Sequence, residues 1–129
     1  MHDYKMRILV VDDFPVMRRI VRNLFKQLGY DNIEEAENGA DAYSKLKNKS
    51  FQFIVSDWNM PDMDGFELLK KVRADSDLRE IPFLMVTAEA EKQKVVDAIK
   101  AGVNNYVVKP FTAEVLKEKL DRIFEKLGK

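Results

Sequence analysis

Apolar residues along this chain fall into short unbroken runs separated by stretches of helical spacing. Ile8-Leu9-Val10-Val11 is rich in β-branched residues and is ended by Asp12 and Asp13. A run of that kind predicts a strand buried on both faces, as in a parallel sheet. Ile33 to Ala36, Phe51 to Ser56, Phe83 to Thr87 and Tyr106 to Val108 have the same character. Between the first two runs, Met17, Ile20, Val21, Leu24, Phe25 and Leu28 recur at the i, i+3, i+4, i+7 spacing of an amphipathic helix, with Gly29 as its stop. Arg18, Arg19, Arg22 and Lys26 fall on the opposite side, and the arginine stripe reads as a solvated helix face. Leu68, Leu69 and Val72 mark a further helix, and Leu116, Leu120, Ile123, Phe124 and Leu127 mark the last. Ala40 to Leu46 and Glu91 to Ala101 are less regular, but their alanines and good helix formers predict helices, with Gly102 ending the second. Asn48-Lys49-Ser50 and Ala74 to Glu80 read as connecting loops.

Strand and helix therefore alternate five times, and successive strands begin roughly 20 to 30 residues apart, the span of a βαβ unit. Right-handed crossovers place helices on both faces of such a sheet. The expected fold is a doubly wound α/β domain of five parallel strands and five helices. With 129 residues the chain fits one domain, expected to span 1–129 with no effector domain. The absence of cysteine removes disulfide frameworks, thiolate zinc sites and catalytic thiols together. Lys+Arg and Asp+Glu both number 22, which argues against salt-driven binding to nucleic acid. No apolar run approaches the ~18 residues of a membrane span, and no secretory apolar segment follows Met1 to Arg7. A soluble cytoplasmic monomer is expected.

In open parallel sheets, ligands bind beyond the carboxyl ends of the strands. After the first expected strand stand Asp12 and Asp13; after the second, Glu37 and Asn38; after the third, Asp57; after the fourth, Thr87; after the fifth, Lys109-Pro110. Each alone has a plainer reading. Either of Asp12 and Asp13 suits the N-cap of a helix that has Pro15 near its start, and Asp57 suits a loop cap. Thr87 is an ordinary strand residue, and Lys109 an ordinary solvated strand end. Their joint placement on one edge of the sheet is the informative observation.

Three neighbouring carboxylates resist joint ionisation unless a cation relieves them. Mg²⁺ suits such a site, since it takes a few carboxylate oxygens, waters and a phosphoryl oxygen. The formal charges of the carboxylates, Lys109 and a divalent ion then cancel. A carboxylate is also a competent nucleophile for an aspartyl-phosphate, with cations neutralising the equatorial oxygens during in-line transfer.

Val10-Val11-Asp12-Asp13, Ser56-Asp57-Trp58-Asn59-Met60-Pro61 with Asp64-Gly65, Val86-Thr87-Ala88 and Val108-Lys109-Pro110-Phe111 resemble the response-regulator receiver domain. Met17 to Asn23, Leu84 to Ala90, Tyr106 and Ile123 to Gly128 extend the resemblance to the chemotaxis branch of that family, over nearly the whole chain. The resemblance implies a flavodoxin-like strand order 2-1-3-4-5 and a cis Lys109-Pro110 bond. It implies Asp57 as phosphoacceptor, with Mg²⁺ held by Asp12, Asp13, Asp57 and the backbone carbonyl of Asn59. Thr87, Lys109 and the backbone N–H groups of Asn59 and Ala88 would contact the phosphoryl group. Thr87 and Tyr106 would form the switch, with Trp58 beside the acceptor as a reporter. Ala90, Lys92, Val95, Tyr106, Val108, Phe111 and Lys119 would form the partner face; Glu91 stands where the family carries lysine. The implied partners are a CheA-like histidine kinase, a flagellar motor switch protein (through a FliM-like N-terminal peptide) and a CheZ-like phosphatase. Such a protein signals; its only catalysis is its own phosphorylation and slow aspartyl-phosphate hydrolysis.

Rival chemistries on the same architecture fit less well. A flavin or dinucleotide phosphate wants a glycine- or hydroxyl-rich turn after the first strand. Asp12-Asp13-Phe14-Pro15 would repel the anion and lacks one N–H. A phosphohydrolase using an aspartyl-phosphate would carry a second acid–base aspartate two residues after the nucleophile, where Asn59 stands.

Overall fold

The computed structural model describes residues 3–88 and 91–128. Its elements are β1 (Ile8–Val11), α1 (Pro15–Gln27), β2 (Ile33–Ala36), α2 (Gly39–Asn48), β3 (Phe53–Asp57), α3 (Gly65–Ala74), β4 (Phe83–Thr87), α4 (Lys92–Lys100), β5 (Asn105–Val108) and α5 (Ala113–Lys126). The strands are parallel in the order β2-β1-β3-β4-β5, the flavodoxin-like arrangement. Strand order reverses between β1 and β3, which opens a crevice at their carboxyl ends.

Alternate strand residues feed two apolar layers, as the two-residue period of a strand requires. Ile8, Val10, Phe53, Val55, Leu84, Val86 and Val107 pack against Val21 and Phe25 of α1 and Leu116, Leu120, Ile123 and Phe124 of α5. Leu9, Val11, Ile54, Phe83 and Met85 pack against Ala42 and Leu46 of α2, Leu68, Leu69 and Val72 of α3, and Ala98 of α4. Both faces of the sheet are thus covered. No helix among the described residues is long and apolar enough to cross a membrane.

Local chemistry sets the helix ends. Asn38 Oδ1 accepts from Asp41 N–H at 2.8 Å, Thr112 Oγ1 accepts from Val115 N–H at 3.2 Å, and Asp64 and Glu67 form a reciprocal capping box. After α1, Gly29 N–H donates to Lys26 O and Tyr30 N–H to Phe25 O, with Gly29 at φ +103°. That is a Schellman closure, and glycine meets its left-handed requirement.

Several expectations need correction. The third strand runs 53–57, not 51–56: Gln52 N–H turns back to Arg7 O at 2.9 Å, and Asp57 pairs with Val86 inside the ladder. The fifth strand begins one residue early, at Asn105. Of the apolar stripe on α1 only Val21 and Phe25 are buried, and Ile20 is 45% exposed. Leu127, expected within the last helix, is instead its C-cap, one residue beyond α5, and is 41% exposed. Neither Asp12 nor Asp13 is the N-cap of α1; Phe14 holds that position without a side-chain bond. The arginine stripe is not uniformly solvated either. Arg18 Nε and Arg22 Nη1 each bond Glu35 of β2 at 3.0 Å, and only Arg19 fits the expected solvated face.

Candidate functional site

The strand register brings the carboxyl ends of the central strands level, with Val11 beside Ser56, Asp57 beside Val86 and Thr87 beside Val108. Asp12, Asp57, Thr87 and Lys109 therefore meet at one edge. Carboxylate oxygens from Asp12, Asp13 and Asp57 all lie within 4.8 Å of one another. Asp12, Asp57 and Thr87 are buried, whereas Asp13 is exposed. Glu37 stays exposed and Asn38 caps α2, so the loop after β2 supplies fold chemistry only.

Lys109 Nζ lies 3.2 Å from Asp57 Oδ2 and 3.4 Å from Asp12 Oδ2, and its backbone N–H donates to Thr87 O at 2.8 Å. The end of β5 is thereby tied to the end of β4. Burial, and then the charge of Asp12, push the Asp57 carboxyl above its ordinary value; Lys109 and the Trp58 N–H pull it down only in part. Three carboxylates facing one ammonium leave net negative charge among hard oxygen donors. That donor set fits Mg²⁺ and fits poorly with a softer metal.

Asp57 is held from several sides. Ser56 Oγ donates to the Asp57 carbonyl at 2.9 Å. An added Cβ at Gly65 would fall 2.2 Å from that same carbonyl oxygen, so only glycine lets α3 start there. Gly65 N–H donates to Trp58 O at 2.8 Å, while Trp58 N–H donates to Val86 O at 2.9 Å. The Trp58 indole stacks on Phe66 with ring centroids 5.2 Å apart, and the Lys94 ammonium lies 5.6 Å from its centroid. A recess lined by Asp13, Asn59, Met60, Pro61 and Asp64 opens beside the acidic cluster. Asn59, one of its lining residues, is exposed, and so is Ala88 after β4.

Thr87 and Tyr106 face a common cavity of about 10 Å³, with Trp58, Met85, Lys94, Val95 and Ala98 completing its walls. Tyr106 is half-buried, and the Lys119 ammonium sits 5.3 Å from its ring centroid. Of the other expected partner-face residues, Lys92 is exposed, Val108 is half-buried and Val95 is turned partly toward that cavity. Phe111 leans into the layer beneath α5, and Ala90 lies outside the described residues. A groove of about 800 Å³ adjoins Tyr106, lined by Ile99, Asn105, Arg122 and Lys126 among others. Ile99 is 61% exposed, an apolar residue next to buried Ala98 that the irregular pattern of α4 had concealed. The Lys109-Pro110 bond is cis.

Sequence reasoning missed Ser56 and Gly65 as supports of the site. Gly65 carried a signal, because a glycine straight after a helix-capping aspartate marks a close backbone approach. Ser56 carried none apart from being polar within a buried run.

An acidic triad and a lysine at the crevice of a doubly wound sheet define a receiver domain. Residues 8–121 match the response regulator receiver domain family, and the chain belongs to it. Within that family it is a CheY-like chemotaxis receiver of two-component signalling. It is 57% identical to chemotaxis protein CheY-3 of Vibrio cholerae over 122 residues, 95% of this chain and 94% of that protein. It is 55% identical to chemotaxis protein CheY of Pseudomonas aeruginosa over 123 residues, 95% of this chain and 99% of the other. Among solved structures, CheY4 of Vibrio cholerae is similar with a TM-score of 0.85 and 36% identity, covering 92% of this chain and 98% of that one. The receiver domain of sensor histidine kinase PA1611 from Pseudomonas aeruginosa, with a magnesium ion coordinated in its active site cleft, gives 0.83 at 27% identity, covering 94% of this chain and 98% of that one.

Proposed function

We propose that this chain is a chemotaxis response regulator whose Asp57 accepts a phosphoryl group from the phosphohistidine of a CheA-like kinase. The observation that carries the reading is Lys109 Nζ within 3.4 Å of both Asp12 and Asp57, with Asp13 completing the oxygen cluster. Asp12, Asp13, Asp57 and the Asn59 carbonyl would hold Mg²⁺. When bound, the ion supplies charge neutralisation to the phosphoryl oxygens. Asp57 provides the attacking oxygen: its bond to phosphorus forms as the phosphorus–nitrogen bond breaks, and the imidazole keeps the electron pair. Lys109, the Thr87 hydroxyl and the N–H groups of Asn59 and Ala88 bind the transferred group. Water later hydrolyses the aspartyl-phosphate, a step that a CheZ-like phosphatase, where one is present, would hasten.

Output passes through the surface around Tyr106, where a FliM-like peptide of the flagellar motor switch docks. Coverage of 95% of this chain and of 94% and 99% of the chemotaxis relatives supports reading 1–129 as one receiver unit. The reading further takes it to act as a monomer in the cytoplasm. Incubation with a small phosphodonor and Mg²⁺, followed by mass analysis, tests the reading. It expects one labile acyl phosphate on Asp57; no adduct, or one at another residue, contradicts it.

A further inference from the structure

Arg18 has no part in the chemistry above, yet its side chain reaches the acidic loop. Its Nη1 donates to the backbone carbonyl of Asp12 at 2.7 Å, and its Nε donates to Glu35 Oε1 at 3.0 Å. Arg22 Nη1 holds the other oxygen of Glu35 at 3.0 Å. We propose that Arg18 is a positioning residue for the cation site, its guanidinium spanning the Asp12 carbonyl and the Glu35 carboxylate to fix the Asp12–Asp13 peptide. The inference rests on the acidic cluster being a Mg²⁺ site.

The geometry of the peptide bond supplies the reason. The Asp12 carbonyl and the Asp13 nitrogen and Cα lie in one rigid plane. Holding the oxygen therefore aims the backbone from which Asp13 extends. Asp12 needs that help less, because its remaining polar atoms have their own partners. Its N–H donates to Ala36 O at 3.1 Å, its Oδ1 accepts from Phe14 N–H at 2.9 Å, and its Oδ2 faces Lys109. Asp13 is exposed, so its reach depends on the chain that carries it.

A plain surface ion pair with Glu35 would contribute little. Arg18 differs in being only 16% exposed and in bonding a backbone acceptor with a short charge-assisted contact. Glu35 neutralises it, so the means is direction and not added positive field. Arg22 provides the matched comparison: it touches the same Glu35 and carries the same charge, but its bond leaves the Asp12 carbonyl alone. Lysine at position 18 would keep a charge but cannot fork across two acceptors.

The test is a Mg²⁺ titration of wild type, Arg18→Ala, Arg18→Lys and Arg22→Ala, followed by Trp58 fluorescence, with amide exchange at Asp13 and Phe14 measured in parallel. Arg18→Ala is expected to weaken Mg²⁺ binding ~10-fold, the scale of lost outer-shell support, and to speed exchange at both amides. Arg18→Lys stays weakened, while Arg22→Ala binds within about twofold of wild type. If the alanine variant does not fold, Arg18→Lys carries the comparison. Wild-type affinity and exchange in the Arg18 variants overturn the positioning role and leave the metal site standing, as does full rescue by lysine. Wild type that binds no Mg²⁺ removes the metal site and this inference with it.

Discussion

Lys109 lies 3.2 Å from Asp57 and 3.4 Å from Asp12, so one ammonium serves two buried carboxylates. Burial, with Asp12 adding to it, keeps the Asp57 carboxyl above its ordinary value of 3.8. The folded protein therefore holds this proton more tightly than the unfolded chain does, and stability falls as pH rises through the folded value. In metal-free protein, Asp57→Asn removes that cost and leaves Lys109 paired with Asp12. We expect it to raise stability at neutral pH by on the order of 1 kcal/mol. The gain vanishes below about pH 4, where both states are protonated. Denaturant melts at both pH values check the sign, and acyl phosphate formation is abolished in the same variant.

Asp75 has the opposite dependence. The Tyr43 hydroxyl at 2.6 Å and Lys47 Nζ at 2.9 Å hold its carboxyl at about 2, against an ordinary 3.8. That contribution to stability is complete above the unfolded value and is lost as pH falls from about 4 toward about 2. Asp75→Asn lowers stability at neutral pH and flattens the acid limb of the unfolding profile. Parallel acid titrations by circular dichroism give the comparison.

Gly65 cannot accept a methyl group without moving backbone, since its Cβ would meet the Asp57 carbonyl oxygen at 2.2 Å. Gly65→Ala is expected to cost about 1–3 kcal/mol through overpacking. It also shifts Trp58, whose carbonyl accepts the Gly65 N–H, and so weakens Mg²⁺ binding read at that indole. Normal stability with normal metal affinity would show that the start of α3 yields freely.

Thr87 shares a small cavity with Tyr106. On the proposed function, a phosphoryl group on Asp57 would offer acceptor oxygens to the Thr87 hydroxyl, and its movement would free space for the Tyr106 ring. Thr87→Ala still forms the acyl phosphate but loses part of the coupling to a motor-switch peptide, ordinarily ~1–3 kcal/mol. Peptide affinities with and without phosphorylation measure it. Equal affinities in the wild-type protein would mean that output leaves by another face.

The sequence was most legible where one physical demand ruled a residue. Ile8 to Val11 read as a strand because burial on both faces leaves no room for polar residues. The placement of Asp12, Asp57, Thr87 and Lys109 followed from strand ends alone, since a parallel sheet aligns those ends. Asp57 was harder to assign to its strand, because a carboxylate inside a ladder opposes the apolar pattern that marks strands. On α1 the periodicity overstated burial: Ile20 remains exposed because Val21 and Phe25 carry the contact with the sheet. Arg18 was illegible for a different reason. Its partners, the Asp12 carbonyl and Glu35, come from the loop after β1 and from β2, and helical spacing says nothing of distant acceptors.

The position of Lys109 also bears on the order in which the molecule assembles. Pairing β1 with β3 brings Asp12 and Asp57 together, while their shared cation arrives only with β5 at the far edge of β4. Were β1 and β3 to pair before β5 docks, two like charges would stand at the rim and would attract the Lys109 ammonium. Docking of the last strand would then be favoured by that rim, and added salt, which screens charges still open to water, is expected to slow refolding.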